Sequence, residues 1–155
     1  FPDARFNLEI KAPSSQLIAA TLELVAKYRR EAITLLTAGD DEIMANLRDQ
    51  LGRLASPTAQ GASERDIRDF LQCAAAGTEP SPGPMALQVP PDFDGQPVVT
   101  KPLIEFAHAR ELQVHVWTIN DPAEMHRLLD LGADGIITDY PGRLAKVIGD
   151  RRGSV

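Results

Sequence analysis

Glu9 and Lys11 stand two residues apart in the stretch RFNLEIKAP (5–13). On a strand, residues i and i+2 share a face, about 6.6 Å apart along the chain from the rise per residue. A carboxylate in such a place is one ligand for a hard cation, and an ammonium beside it neutralises an anionic oxygen. Asn7 joins them on that face, while Phe6, Leu8 and Ile10 take the other. A plain salt-bridged edge strand would use the same residues. A second stretch, QVHVWTIND (113–121), puts His115 and Trp117 on one face and Val114, Val116 and Thr118 on the other. A tryptophan at the carboxyl end of a strand walls a pocket or packs in a core. His115 lies one layer deeper and reads as a hydrogen-bonded structural histidine. Asn120 is within reach of the same end, Asp121 suits a helix cap, and Asp139 suits a loop-fixing hydrogen bond at least as well as a substrate contact. Gln88 projects from an otherwise apolar run. His108 and His126 fall in helical stretches among charged neighbours and read as solvated.

Positioning these residues requires strands alternating with helices. Strand-like runs are expected at 5–10, 32–37, 53–58, 85–90, 113–118 and 134–139, each rich in Val, Ile, Leu or Thr and bounded by Gly, Pro, Asp or Ser. The intervening helices have readable ends. Ser14 or Ser15, Asp40, Ser63 with Asp66, Thr100 and Asp121-Pro122 mark starts, and Gly77 and Gly132 mark ends. Pro141 opens a short last helix. The segments 79–84 and 90–97 read as loops. Strand–helix alternation calls for a parallel sheet in one α/β domain spanning 1–155. Two architectures satisfy it. A doubly wound open sheet is complete at this length, whereas a (β/α)8 barrel needs two more units and typically about 250 residues. Length favours the doubly wound sheet for a whole chain, while the polar face of RFNLEIK pulls toward a barrel, whose strands turn polar groups into the mouth; doubly wound strands are usually apolar on both faces. The glycine loop that cradles phosphates after the first strand of many nucleotide binders is missing.

The 155 residues are 43% hydrophobic and 25% charged, enough for one sizeable core. A formal net charge of -6 argues against a nucleic-acid groove and against an anionic membrane surface. No apolar run approaches the roughly 18 residues of a membrane span, so no stable membrane insertion is expected. No signal peptide is visible, and the cytoplasm is the favoured compartment. The single cysteine, Cys73, excludes an intrachain disulfide and reads as a buried, inert thiol.

At NLEIK (7–11) and VHVWTINDPAEMHRLLDLGADGIITDYPGRL (114–144) the chain closely resembles the glycerophosphodiester phosphodiesterase family. ALQVP (86–90) and the AHA of FAHARELQVHVW (106–117) fit the same pattern, so the resemblance runs from about Phe6 to Leu144. It implies a (β/α)8 barrel of which about six of eight βα units are present. It also implies a divalent cation, Mg²⁺ or Ca²⁺, and cleavage of glycerophosphodiesters to glycerol 3-phosphate and an alcohol. By resemblance Glu9 is a metal ligand, Lys11 faces the substrate phosphate, and Trp117 lines the substrate pocket. The family's strand-four Ser-Phe is replaced by Thr37-Ala38-Gly39.

The family's His-Arg-Gly, Glu-Asn-Thr, Glu-x-Asp and His-Asp motifs do not occur in this chain. The acid–base histidines and most metal ligands are thus expected upstream, and the isolated chain is expected to be largely inactive. A non-catalytic binding or interaction module built on the same barrel is the competing reading. Six units leave two unpaired sheet edges, so dimerisation, strand exchange or completion by a further segment is expected.

Overall fold

The computed structural model describes residues 3–153. They form two compact units, the first reaching to Met85 and the second starting at Ala86.

In the first unit, β1 (Phe6–Glu9) leads into α1 (Ser15–Lys27), and β2 (Thr34–Thr37) into α2 (Asp41–Arg53). The third pair is β3 (Ala59–Gln60) and α3 (Glu64–Ala76). The strands form one parallel sheet in the order β1-β2-β3, with Glu9 beside Thr37 and Leu36 beside Gln60. Each helix starts where a side chain satisfies its free N–H groups. Ser14 Oγ accepts from the Leu17 N–H, and Asp40 Oδ1 accepts from the N–H groups of Glu42 and Ile43. Ser63 and Asp66 form a reciprocal capping box. Gly77 ends α3 in the left-handed region, φ 68°. Helical spacing brings Ile18 and Leu22 of α1 and Ile43, Met44, Leu47 and Leu51 of α2 onto Ile10, Leu36 and Ala38, forming the core of the unit.

In the second unit, β4 (Ala86–Val89) is followed by a hairpin, β5 (Asp92–Phe93) with β6 (Gln96–Pro97), and then by α4 (Lys101–His108). Next come β7 (Gln113–Val116), α5 (Pro122–Leu131), β8 (Gly135–Ile136) and α6 (Pro141–Arg152). The parallel order is β4-β7-β8. Leu87, Val89, Val114 and Val116 are buried with Leu103, Ile104, Met125 and Leu128 of the helices. Gln88 and His115 are register partners on the opposite face.

Four sequence expectations change. No strand forms over 53–58. The buried row of α2 carries the helix to Arg53, the chain turns at Ala55 (φ 47°), and the strand follows at Ala59–Gln60. The expected loop 90–97 contains the β5–β6 hairpin, whose turn residues Asp94 and Gly95 both have positive φ, as an Asp-Gly hairpin turn requires. The strand expected over 134–139 contracts to two residues. The last helix, expected to be short, reaches Arg152.

Candidate functional site

In the first unit the chemistry-bearing residues gather at the carboxyl ends of β1 and β2. Glu9 is the last residue of β1, and the Ile10 N–H donates to Thr37 O at 2.8 Å, extending the pairing past it. Lys11 follows, its Nζ 3.1 Å from Glu9 Oε2. The two side chains are 78% (Lys11) and 45% (Glu9) exposed, so this ion pair contributes at most about 1 kcal/mol and leaves both groups available. They line an open cleft of about 550 Å³ together with the first residues of α2 and α3. Thr37 and Ala38 are buried, and Gly39 O accepts the Glu64 N–H at 2.9 Å, joining the β2 end to the start of α3.

The other carboxylates of the cleft are largely committed to structure. Asp40 caps α2. Asp41 accepts the Arg65 N–H at 2.9 Å and lies 3.5 Å from the Arg65 guanidinium and 3.8 Å from that of Arg68. These bonds, that from the Arg65 backbone first, hold its carboxyl below the ordinary range. Among the described residues no group of three His, Cys, Asp or Glu side chains could hold a metal ion. Glu9 offers a single carboxylate where a hard divalent cation takes several oxygen ligands, so these residues do not by themselves fit a divalent cation. A second cleft of about 520 Å³, between α1 and α2, is lined by groups that bond one another, such as Asn46 with Ser15 and Gln50, and holds none of the candidate site residues.

In the second unit the candidate residues stand at the carboxyl ends of β7 and β8. Trp117 follows β7 and is 43% exposed; its N–H donates to Val89 O at 3.1 Å, and the Trp117–Thr118 peptide is cis. Asn120 bonds the Asp139 carboxylate at 2.9 Å, which gives Asp139 the loop-fixing role expected of it. Asp121 caps α5 by accepting from the Ala123 N–H at 3.2 Å. His115 is half-buried, with Nε2 3.2 Å from Gln113 Oε1 and its ring against Gly135. Burial pushes its imidazole below the ordinary 6.5, and the Asp134 carboxylate opposes that shift. Gln88, its register partner, carries a buried Nε2 that has no hydrogen-bond partner among the described residues.

Three expectations for single residues are corrected. His108 is hydrogen-bonded as well as solvated: its Nε2 is 2.9 Å from Asp134 Oδ2, which also accepts the Val114 N–H at 2.7 Å. Asp134, brought near by the turn before β8, thereby ties α4 to β7. Cys73 is half-buried, with Sγ 3.5 Å from Glu79 O, because α3 presents it toward the loop that follows. His126, expected to be solvated, is half-buried on α5. Sequence reasoning missed Thr138 and Arg143, which bond Asn120 from the far side of the β8 loop. Their only signal was the Asn and Asp placed just after two consecutive strands.

The profile of the glycerophosphoryl diester phosphodiesterase family matches residues 10–143. That span contains Lys11 and Trp117 and begins immediately after Glu9. Among curated relatives, the probable glycerophosphodiester phosphodiesterase 2 of Mycobacterium tuberculosis is 30% identical over 152 residues, covering 95% of this chain and 56% of that protein. Among solved structures, a Silicibacter pomeroyi protein assigned to the glycerophosphoryl diester phosphodiesterases is 25% identical with a TM-score of 0.64, over 88% of this chain and 45% of that one. The glycerophosphoryl diester phosphodiesterase domain of another Mycobacterium tuberculosis protein gives a TM-score of 0.69 at 12% identity, over 94% of this chain and 59% of that one, a likeness of fold. The chain therefore spans about half the length of these relatives. Their barrel architecture and the six successive βα units described above give the fold class: α/β, a partial (β/α)8 barrel.

Proposed function

The chain belongs to the glycerophosphoryl diester phosphodiesterase family, and from that premise we propose that the full-length protein cleaves glycerophosphodiesters to glycerol 3-phosphate and an alcohol. The carrying observation is the placement of Lys11, beside Glu9, on the cleft at the carboxyl ends of β1 and β2, the end at which (β/α)8 barrels do their chemistry. Cleaving a phosphodiester requires neutralised phosphoryl oxygens, a nucleophile and a proton for the leaving alkoxide. In this reading the Lys11 ammonium meets the phosphoryl oxygens, and Trp117 forms an apolar wall for the glycerol backbone. Glu9 is one ligand of a divalent cation, Mg²⁺ or Ca²⁺, whose other ligands lie outside the described residues. His108 is paired with Asp134 and His115 is half-buried in its strand, so neither is offered as the acid or base.

The chain by itself is proposed to be largely inactive. The test compares full-length protein with residues 1–155 on glycerophosphocholine. Full-length protein should hydrolyse it, lose activity to a chelator, and lose about a hundredfold in kcat/KM on Lys11→Ala, the scale of removing one charged stabiliser. Turnover by the 155-residue chain that vanishes on Glu9→Ala would overturn the inactivity. An inert full-length protein would instead favour the non-catalytic module. We further propose that the β1 edge mediates self-association or strand exchange of the isolated chain, since all four β1 residues are exposed.

A further inference from the structure

One side chain ties together two loops of the second unit. Asn120, in the loop after β7, donates from Nδ2 to Asp139 Oδ2 at 2.9 Å. Its Oδ1 accepts from Thr138 Oγ1 and from the Asp139 backbone N–H, both at 3.0 Å. All three partner groups belong to the loop after β8. The backbone carbonyl of Asn120 accepts from Arg143 Nη1 at 3.0 Å, and the Arg143 guanidinium lies 4.0 Å over the Tyr140 ring. Thr138 Oγ1 in turn accepts the Tyr140 N–H at 3.0 Å. The neighbouring backbone adds one link, from the Ile119 N–H to Ile137 O at 2.9 Å.

Asp121, not Asn120, caps α5, and Asn120 is outside the buried core. A primary amide suits the place because it donates and accepts at once, satisfying a carboxylate, a hydroxyl and an N–H from one planar group. Trp117 stands three positions earlier in the same loop, exposed and outside the buried core. We propose that Asn120 is a positioning residue, clasping the β7 loop to the β8 loop and thereby fixing the orientation of Trp117 as a pocket wall. The clasp stands on the hydrogen bonds alone; the pocket-wall part rests on the function proposed above.

Trp117 is the only tryptophan of the chain, so its emission and its quenching by acrylamide report on this loop. Asn120→Asp keeps an acceptor for Thr138 and the Asp139 N–H, removes the Nδ2 donor, and sets a carboxylate against that of Asp139. Quenching of Trp117 should rise about twofold as the loop opens locally. Adding Asp139→Asn exchanges donor and acceptor and should return quenching to the parental value. Unchanged quenching in Asn120→Asp, or no recovery in the double variant, overturns the clasp. Should Asn120→Asp alone fail to fold, recovery or its absence in the double variant still decides. In the full-length protein, Asn120→Asp should raise KM for glycerophosphocholine more than it lowers kcat, again with recovery in the double variant. A changed quenching with an unchanged KM overturns the role of the clasp in the pocket and leaves the clasp itself in place.

Discussion

His115 shows how one residue's surroundings become a property of the whole unit. Desolvation holds its imidazole below the ordinary 6.5, with Asp134 acting in the opposite sense. The unfolded chain therefore binds more protons than the folded one as the pH falls through this range. The stability contributed by neutral His115 is complete above about pH 6.5 and is lost as the pH drops through the depressed folded value. Thermal melts across pH 5 to 8 should show this loss, and His115→Gln should flatten it. Asp66 carries the opposite chemistry in the first unit. Burial pushes its carboxyl up, but the Arg48 guanidinium at 2.5 Å and the hydrogen bonds with Ser63 outweigh that and hold it below the ordinary range. Asp66→Ala removes half of a capping box and leaves a partly buried guanidinium unpaired. Urea unfolding should report a loss of about 2–3 kcal/mol, the sum expected for a lost cap and an orphaned charged donor.

At the scale of elements, the close approach of β8 (Gly135–Ile136) to β7 depends on a glycine. A Cβ at position 135 would stand 2.8 Å from His115 Cδ2 and 3.3 Å from Cγ, so the strand lies against the imidazole only because that residue is glycine. Gly135→Ala should destabilise the second unit by about 1–3 kcal/mol, as overpacking does. Guanidinium unfolding followed by Trp117 emission measures it, and a variant as stable as the parent would rule out this dependence. A comparable device operates in the first unit, where a Cβ on Gly61 would collide with the Thr37 side chain. Each glycine leaves room for a polar side chain of the neighbouring strand.

For the molecule as a whole, each unit carries its own three-stranded parallel sheet, and sheets of that size have edges. β1 pairs only with β2 among the described residues, and Phe6 and Leu8 are each 37% exposed. An exposed strand with apolar side chains is a template for another strand, and Lys11 at its end is a modest charge against it. Sedimentation of residues 1–155 should show dimers or larger species that increase with concentration. A concentration-independent monomer with a cooperative melt would count against association through this edge. Among the described residues no helix is long and apolar enough to cross a membrane.

What the sequence by itself determined is the local grammar of the fold. Ser14, Asp40, the Ser63–Asp66 box, Thr100 and Asp121 each cap the helix they announce, and Gly77 and Gly132 each close one. These signals are legible because donor and acceptor lie within three residues, so no distant partner is needed to decide them. The family resemblance was legible for a similar reason, from two contiguous blocks in order. Other features were decided only by tertiary structure. The start of β3 depended on how far the buried row of α2 carried the helix, and the close approach of β8 on a histidine 20 residues earlier. The His108–Asp134 pair and the Asn120 clasp join groups 26 and 18–23 residues apart. Parallel strands bring such residues side by side only after a helix has crossed over between them. Side-chain type can therefore nominate Asn120 and Asp139, but only the folded register makes them partners.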